Sequence, residues 1–236
     1  MTARDRAGVR VHPREGSVVL MKAILYDLDG TLIDSETAGL ASWGEVFRAH
    51  GCALDEQLWL VEVAAGRGPC MPKAELEAAV GRRLDWVELE EKRLLHRDEL
   101  LIARPGALEH LAQARGMGLA TALVTNAPGW WVEQQLGRNG LDEHTFDAIV
   151  TGHSGLARKP EPEVYLTALD LLGLNPADAV AVEDSPVGIA AAVAAGVACV
   201  AVANEVTRRL DLSAADLVVE SLTEVMPPTL LERFPC

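Results

Sequence analysis

The stretch Ala23-Ile24-Leu25-Tyr26-Asp27-Leu28-Asp29-Gly30-Thr31 decides the fold. Four apolar residues run without alternation and stop abruptly at acids and glycine. Such a run suits a strand covered on both faces, as in a parallel sheet, and leaves Asp27 at its C-terminal end. Further runs share this character: Leu119 to Val124, Ala148 to Val150, Ala179 to Val182, Ala198 to Val202 and Leu217 to Val219. Helical patterns separate most of them. Pro105-Gly106 opens one that stops at Gly116; Pro128 to Arg138 closes near Gly140; Pro162 to Leu172 sets Tyr165, Leu169 and Leu172 on one face; and Pro186 to Ala195 is Ala-rich. Strand and helix in alternation predict an α/β fold with an open, parallel, Rossmann-like sheet.

Between the first two strands, residues 37–104 hold no convincing strand. Leu40, Trp43 and Phe47 share a helical face, Pro72 to Val80 stops at Gly81, and Asp85 to Ile102 is rich in Leu, Glu and Arg. The expected organisation is a core of residues 21–36 and 105–236, a helical cap at 37–104, and an N-terminal extension at 1–20. A helical insert after the first strand sits at the carboxyl edge of the sheet, where open α/β folds bind ligands.

Four features fall at or just beyond strand ends: Asp27-Leu28-Asp29-Gly30-Thr31, Val124-Thr125-Asn126, Arg158-Lys159-Pro160 and Glu183-Asp184-Ser185. In a parallel sheet they converge on one crevice holding several carboxylates, an ammonium and a hydroxyl. Carboxylates so close repel one another unless a cation is present, and oxygen ligands suit Mg²⁺, which commonly bridges carboxylates and phosphate. A carboxylate in that charge arrangement can attack phosphorus.

Composition narrows the partners. The 236 residues carry a formal net charge of -14 and no basic stripe, which argues against nucleic acid. No apolar stretch reaches the roughly 18 residues of a membrane span, and residues 1–20 lack the apolar core of a secretory signal. Cytoplasm is the expected location and a monomer the expected state, with a dimer left open. Cys52, Cys70, Cys199 and Cys236 have no C-x-x-C spacing and read as isolated thiols.

Taken together, the ordered motifs resemble those of the haloacid dehalogenase-like hydrolase superfamily, in particular its phosphatases and β-phosphoglucomutase-like members with a helical cap. The resemblance spans about Lys22 to Leu222, and the first motif, Tyr26 to Leu32, is specific. It implies that Asp27 attacks phosphorus and that Asp29 protonates the leaving alcohol, then activates water. It implies that Thr125, Asn126 and Lys159 hold the phosphoryl group. Mg²⁺ would be held by Asp27, the Asp29 backbone carbonyl and Asp184, with Glu183 assisting. Dehalogenase members lack the second aspartate, so Asp29 favours phosphoryl chemistry. Tyr26 stands where Phe is usual, and Arg158 where Gly is frequent.

The implied activity is hydrolysis of a small phosphomonoester such as a sugar phosphate or phosphoglycolate. Phosphomutase activity competes with it, but those mutases carry a His ten residues after the acid-base Asp, where this chain has Gly39. A non-catalytic phospho-ligand binder is the third reading, opposed by the complete acidic and lysine set. Of the other residues, Arg67 in Gly66-Arg67-Gly68 is a candidate substrate contact. Trp130 and Trp131 read as helix-packing residues rather than pocket walls. His96, His110 and His153 show no ligand spacing and read as structural or exposed.

Overall fold

In the computed structural model of the protein, which describes residues 21–65, 72–152 and 155–235, six strands form one all-parallel sheet. In chain order the elements are β1 (Ala23–Tyr26), α1 (Ser35–Ala49), α2 (Glu56–Ala64), α3 (Lys73–Val80), α4 (Trp86–Leu100), α5 (Ala107–Gly116), β2 (Ala120–Val124), α6 (Gly129–Arg138), β3 (Ala148–Val150), α7 (Glu163–Leu172), β4 (Ala179–Glu183), α8 (Pro186–Ala194), β5 (Ala198–Val202), β6 (Leu217–Val219) and α9 (Pro227–Arg233). The expected 1–20 extension, Arg67 with its flanking glycines, Cys70, His153 and Cys236 lie outside the described residues.

The sheet order is β3-β2-β1-β4-β5-β6, so the direction of winding reverses at β1. That reversal opens a crevice beyond the carboxyl ends of the central strands. Successive residues of each strand bury against opposite layers. Ile24, Tyr26, Leu123, Val180, Val182 and Val200 join Leu111, Leu136 and Leu230 on one face. Ala23, Leu25, Ala122, Ala181 and Cys199 join Tyr165, Leu169 and Ile189 on the other. The small residues of the second face let α7 and α8 lie close to the sheet.

Helices α1 to α4 occupy the stretch between β1 and α5, and Trp43, Phe47, Trp59, Leu60 and Leu76 give them an apolar cluster of their own. Helix α2 was not delimited by the sequence pattern. Its residues are apolar nearly all round, and its start is marked by Asp55, which accepts from the amides of Gln57 at 2.9 Å and Leu58 at 3.2 Å. Helix α1 starts at Ser35, capped by Asp34, so position 37 falls inside its first turn. The chain leaves for this insertion and returns side by side. Ile33 and Ala103 form an antiparallel bridge, Asp34 N–H donates to Ile102 at 2.9 Å, and Arg104 N–H donates to Leu32 at 2.8 Å. Among the described residues no helix is long and apolar enough to cross a membrane.

His110 of α5 is fully buried, as a structural histidine should be. Its Nε2 lies 3.0 Å from the Val225 carbonyl, which can only accept, so Nδ1 accepts the Tyr26 hydroxyl at 2.7 Å. Burial pushes this imidazole down to about 4, against the weaker opposing effect of the Val225 carbonyl. The unfolded chain then binds the extra proton between pH 6.5 and 4, and stability falls with pH across that window. The loss is on the order of 3 kcal/mol. Urea unfolding should show His110→Asn well below wild type at pH 7, with the gap narrowing toward pH 4; a constant gap would refute the assignment.

Candidate active site

Asp27 extends β1 by one residue, its amide bonded to Val182 of β4 at 2.9 Å, and its side chain is buried. Lys159, from the loop after β3, reaches it with Nζ 2.6 Å from Oδ1. The same ammonium lies 2.6 Å from Glu183 Oε1 and 2.7 Å from the Val124 carbonyl. Three acceptors therefore surround its three protons. Burial alone would push Lys159 down, but Asp27 and Glu183 hold it above the ordinary lysine range. Burial lifts Asp27 well above its ordinary value, opposed by Lys159 and reinforced by Glu183 and Asp29.

Glu183 and Asp184 end β4 and begin the turn into α8. Glu183 is fully buried; its Oε1 also accepts the Tyr165 hydroxyl of α7. A Cβ at position 188 would fall 1.9 Å from Glu183 Oε2, so only glycine lets α8 start this close to the carboxylate. Asp184 accepts from Asn204 Nδ2 at 2.7 Å. Burial raises its proton affinity, as do Asp27, Glu36 and Glu183, while Arg104 lowers it. Asp27, Glu183 and Asp184 each offer a carboxylate oxygen within 4.8 Å of the others. Buried, crowded, oxygen-only and served by one ammonium, this group fits a hard divalent cation. Asp27 and Asp184 face the cavity, whereas Glu183 does not line it.

The cavity has a volume of about 460 Å³ and is lined by Asp27, Asp29, Thr125, Asn126, Lys159 and Asp184 from the strand ends, so the residues expected to act together do meet. Thr125 accepts the Ala127 amide at 3.0 Å. The Asn126 side chain is engaged with the backbone of Lys159, accepting its N–H at 2.9 Å and donating to its carbonyl at 3.2 Å. Asn126 thereby ties the second strand-end loop to the third. Glu36 also lines the cavity, and burial together with Asp29 and Asp34 pushes it up to about 7.

Trp131 corrects the sequence reading. It walls the cavity, and its indole N–H donates to Asp29 Oδ1 at 3.0 Å and Oδ2 at 3.2 Å. Helix α6 begins at Gly129, directly after the β2 loop, so its first turn leans over the crevice. Trp130 also lines the cavity but is 67% exposed. Burial raises Asp29, with Trp131 lowering it.

Two further residues escaped the sequence reading. Arg104, at the return from the insertion, donates at 2.7 Å to the carbonyls of Gly30, Val202 and Ala203 and at 3.3 Å to that of Glu220. It pins the Asp29-Gly30 turn to the ends of β5 and β6. Asn204 bonds both Gly30 O at 3.2 Å and Asp184, and its position just past β5 was a strand-end signal that could have found it. Gly30 itself has φ +78° and a virtual Cβ 2.1 Å from Asp184 Oδ2, so no other residue fits there. Arg104→Met leaves four carbonyls without this donor. It should lower the unfolding free energy by about 3 kcal/mol or more in urea titrations; wild-type stability would show that the clamp is dispensable.

Comparison with known proteins places this geometry in a lineage. Residues 21–196 match the haloacid dehalogenase-like hydrolase family. The protein YhcW of Bacillus subtilis (strain 168) is 35% identical, over 91% of this chain and 98% of that one. Hexitol phosphatase A of Escherichia coli (strain K12) is 34% identical, over 86% of this chain and 93% of that one. Among solved structures, a HAD family hydrolase from Deinococcus radiodurans R1 with bound phosphate and sodium superposes with a TM-score of 0.71 at 25% identity, covering 90% of this chain and 96% of that one. The chain belongs to the haloacid dehalogenase-like hydrolase family.

Proposed function

We propose that this protein is a Mg²⁺-dependent phosphatase that hydrolyses a small phosphomonoester, of the sugar phosphate or phosphoglycolate kind, through an aspartyl-phosphate on Asp27. The observation that carries this reading is Asp27 itself: a buried carboxylate at the switch point of the sheet, paired with Lys159 at 2.6 Å, facing a cavity that also holds Asp29. The naming of hexitol phosphatase A and the phosphate in the Deinococcus structure support it.

A free Asp27 oxygen attacks phosphorus, and the ester P–O bond breaks. Its electron pair goes to the leaving oxygen, which takes a proton from Asp29. Water then attacks the phosphorus, giving its proton to Asp29, and the acyl-phosphate bond breaks to release inorganic phosphate and restore Asp27. Lys159, the Thr125 hydroxyl and a backbone N–H at Asn126 hold the phosphoryl oxygens. Asp27, the Asp29 carbonyl and Asp184 would hold Mg²⁺, with Glu183 nearby; bound there, the ion supplies positive charge that offsets the acids and the phosphoryl oxygens. Glu183 also acts as the buried counter-charge that orients Lys159. Residues 37–104 serve as a cap over the crevice, with 21–36 and 105–236 as the core.

Hydrolysis is favoured over phosphomutase chemistry by what stands opposite Gly39. A Cβ there would meet the Trp59 ring at 3.0 and 3.3 Å, so the indole already fills the space a longer side chain would need. Phosphate release from a panel of metabolite phosphates should depend on Mg²⁺, stop with EDTA, and fall at least about a thousandfold in Asp27→Asn. Full activity of Asp27→Asn would sink the mechanism. With β-glucose 1-phosphate and a bisphosphate primer, wild type should release phosphate and form no glucose 6-phosphate; accumulation of that isomer would move the protein to the mutases.

A further inference from the structure

Resting on the phosphatase reading, we propose that Trp131 is a positioning residue for the acid step, its indole N–H fixing how Asp29 presents its proton to the leaving oxygen. An indole N–H only donates, so its bonds to Asp29 at 3.0 and 3.2 Å have one sense. The single N–H reaches both carboxyl oxygens at nearly equal distance, so it holds the plane of the group whichever oxygen carries the proton. The indole therefore restricts rotation of the carboxyl group and sets the direction in which its proton is presented.

The ring is itself held. The Arg97 guanidinium of α4 lies over it, 4.9 Å from the centroid, and Trp130 meets it edge-on at 5.9 Å. Arg97 is fixed by Asp98 at 2.7 Å, and Asp98 also pairs with Arg138 of α6. Asn139 Oδ1 accepts the Ala103 amide at 2.6 Å, closing a second link between the end of α6 and the end of the insertion. Helices α4 and α6 are thus joined around the group that orients the acid. Orientation of a reacting group by its neighbours is a recognised source of rate.

In the acid step the bond from phosphorus to the leaving oxygen breaks as the Asp29 proton transfers to that oxygen. A good leaving group gains little from this transfer and a poor one depends on it. The test is kcat/KM with Mg²⁺ across ring-substituted phenyl phosphates of graded phenol acidity, for wild type, Trp131→Phe, Asp29→Asn and the double variant. Trp131→Phe keeps the ring and removes the donor. It should lose about tenfold or more on phenyl phosphate but less than about threefold on 2,4-dinitrophenyl phosphate, steepening the leaving-group dependence toward that of Asp29→Asn. In the Asp29→Asn background the same substitution should leave the slope unchanged. An equal loss across the series, no loss at all, or a further steepening without Asp29 would each overturn the proposal. A wild type inert toward every ester would instead sink the phosphatase reading and the proposal with it.

Discussion

One ammonium in a nest of acids governs this molecule. Lys159 brings a single positive charge to Asp27 and Glu183 at 2.6 Å each, deep in the sheet's carboxyl edge. Removing only one member of such a buried set is costly, because the partners stay charged and dry. The surroundings satisfy that demand: Tyr165 donates to Glu183, Asn126 grips the Lys159 backbone, and Gly188 lets α8 begin against Glu183. Even so, Asp27 and Asp184 retain a raised affinity for protons. A site short of positive charge is prepared for a divalent cation.

The sheet supplies the place for that arrangement. With order β3-β2-β1-β4-β5-β6, the reversal at β1 opens the layer of helices where β1 ends. Arg104 and Asn204 then stitch the turn after β1 to the ends of β5 and β6. Precision at Asp29 thus depends on residues far along the chain.

The sheet was legible in the sequence because its strands are buried on both faces and show continuous apolar runs. The strand-end rule then brought Asp27, Thr125, Lys159 and Asp184 together without coordinates. Other partners carried no such mark. Tyr165 sits on the apolar face of α7 as read, yet its hydroxyl reaches Glu183. Arg104 looked like the last residue of the insertion, and nothing local announces four carbonyls from three distant segments. Trp131 reads as packing because large aromatics are usually buried for their area, and helical spacing does not tell which turn overhangs a crevice. Gly39 registered only as a missing histidine; that Trp59 fills the gap is a tertiary fact. Arg67 and residues 1–20 fall outside the described residues, so their readings stand as expectations.

The paired departure and return of the insertion has a mechanical consequence. Two chain segments bridged at Ile33 and Ala103, and cross-bonded on either side, make a ribbon rather than two independent tethers. In a ribbon neither segment can slide along the other without breaking the hydrogen bonds between them. The start of α1 and the return from α4 are therefore tied to each other in register, and Arg104 anchors that pair beside the turn that carries Asp29.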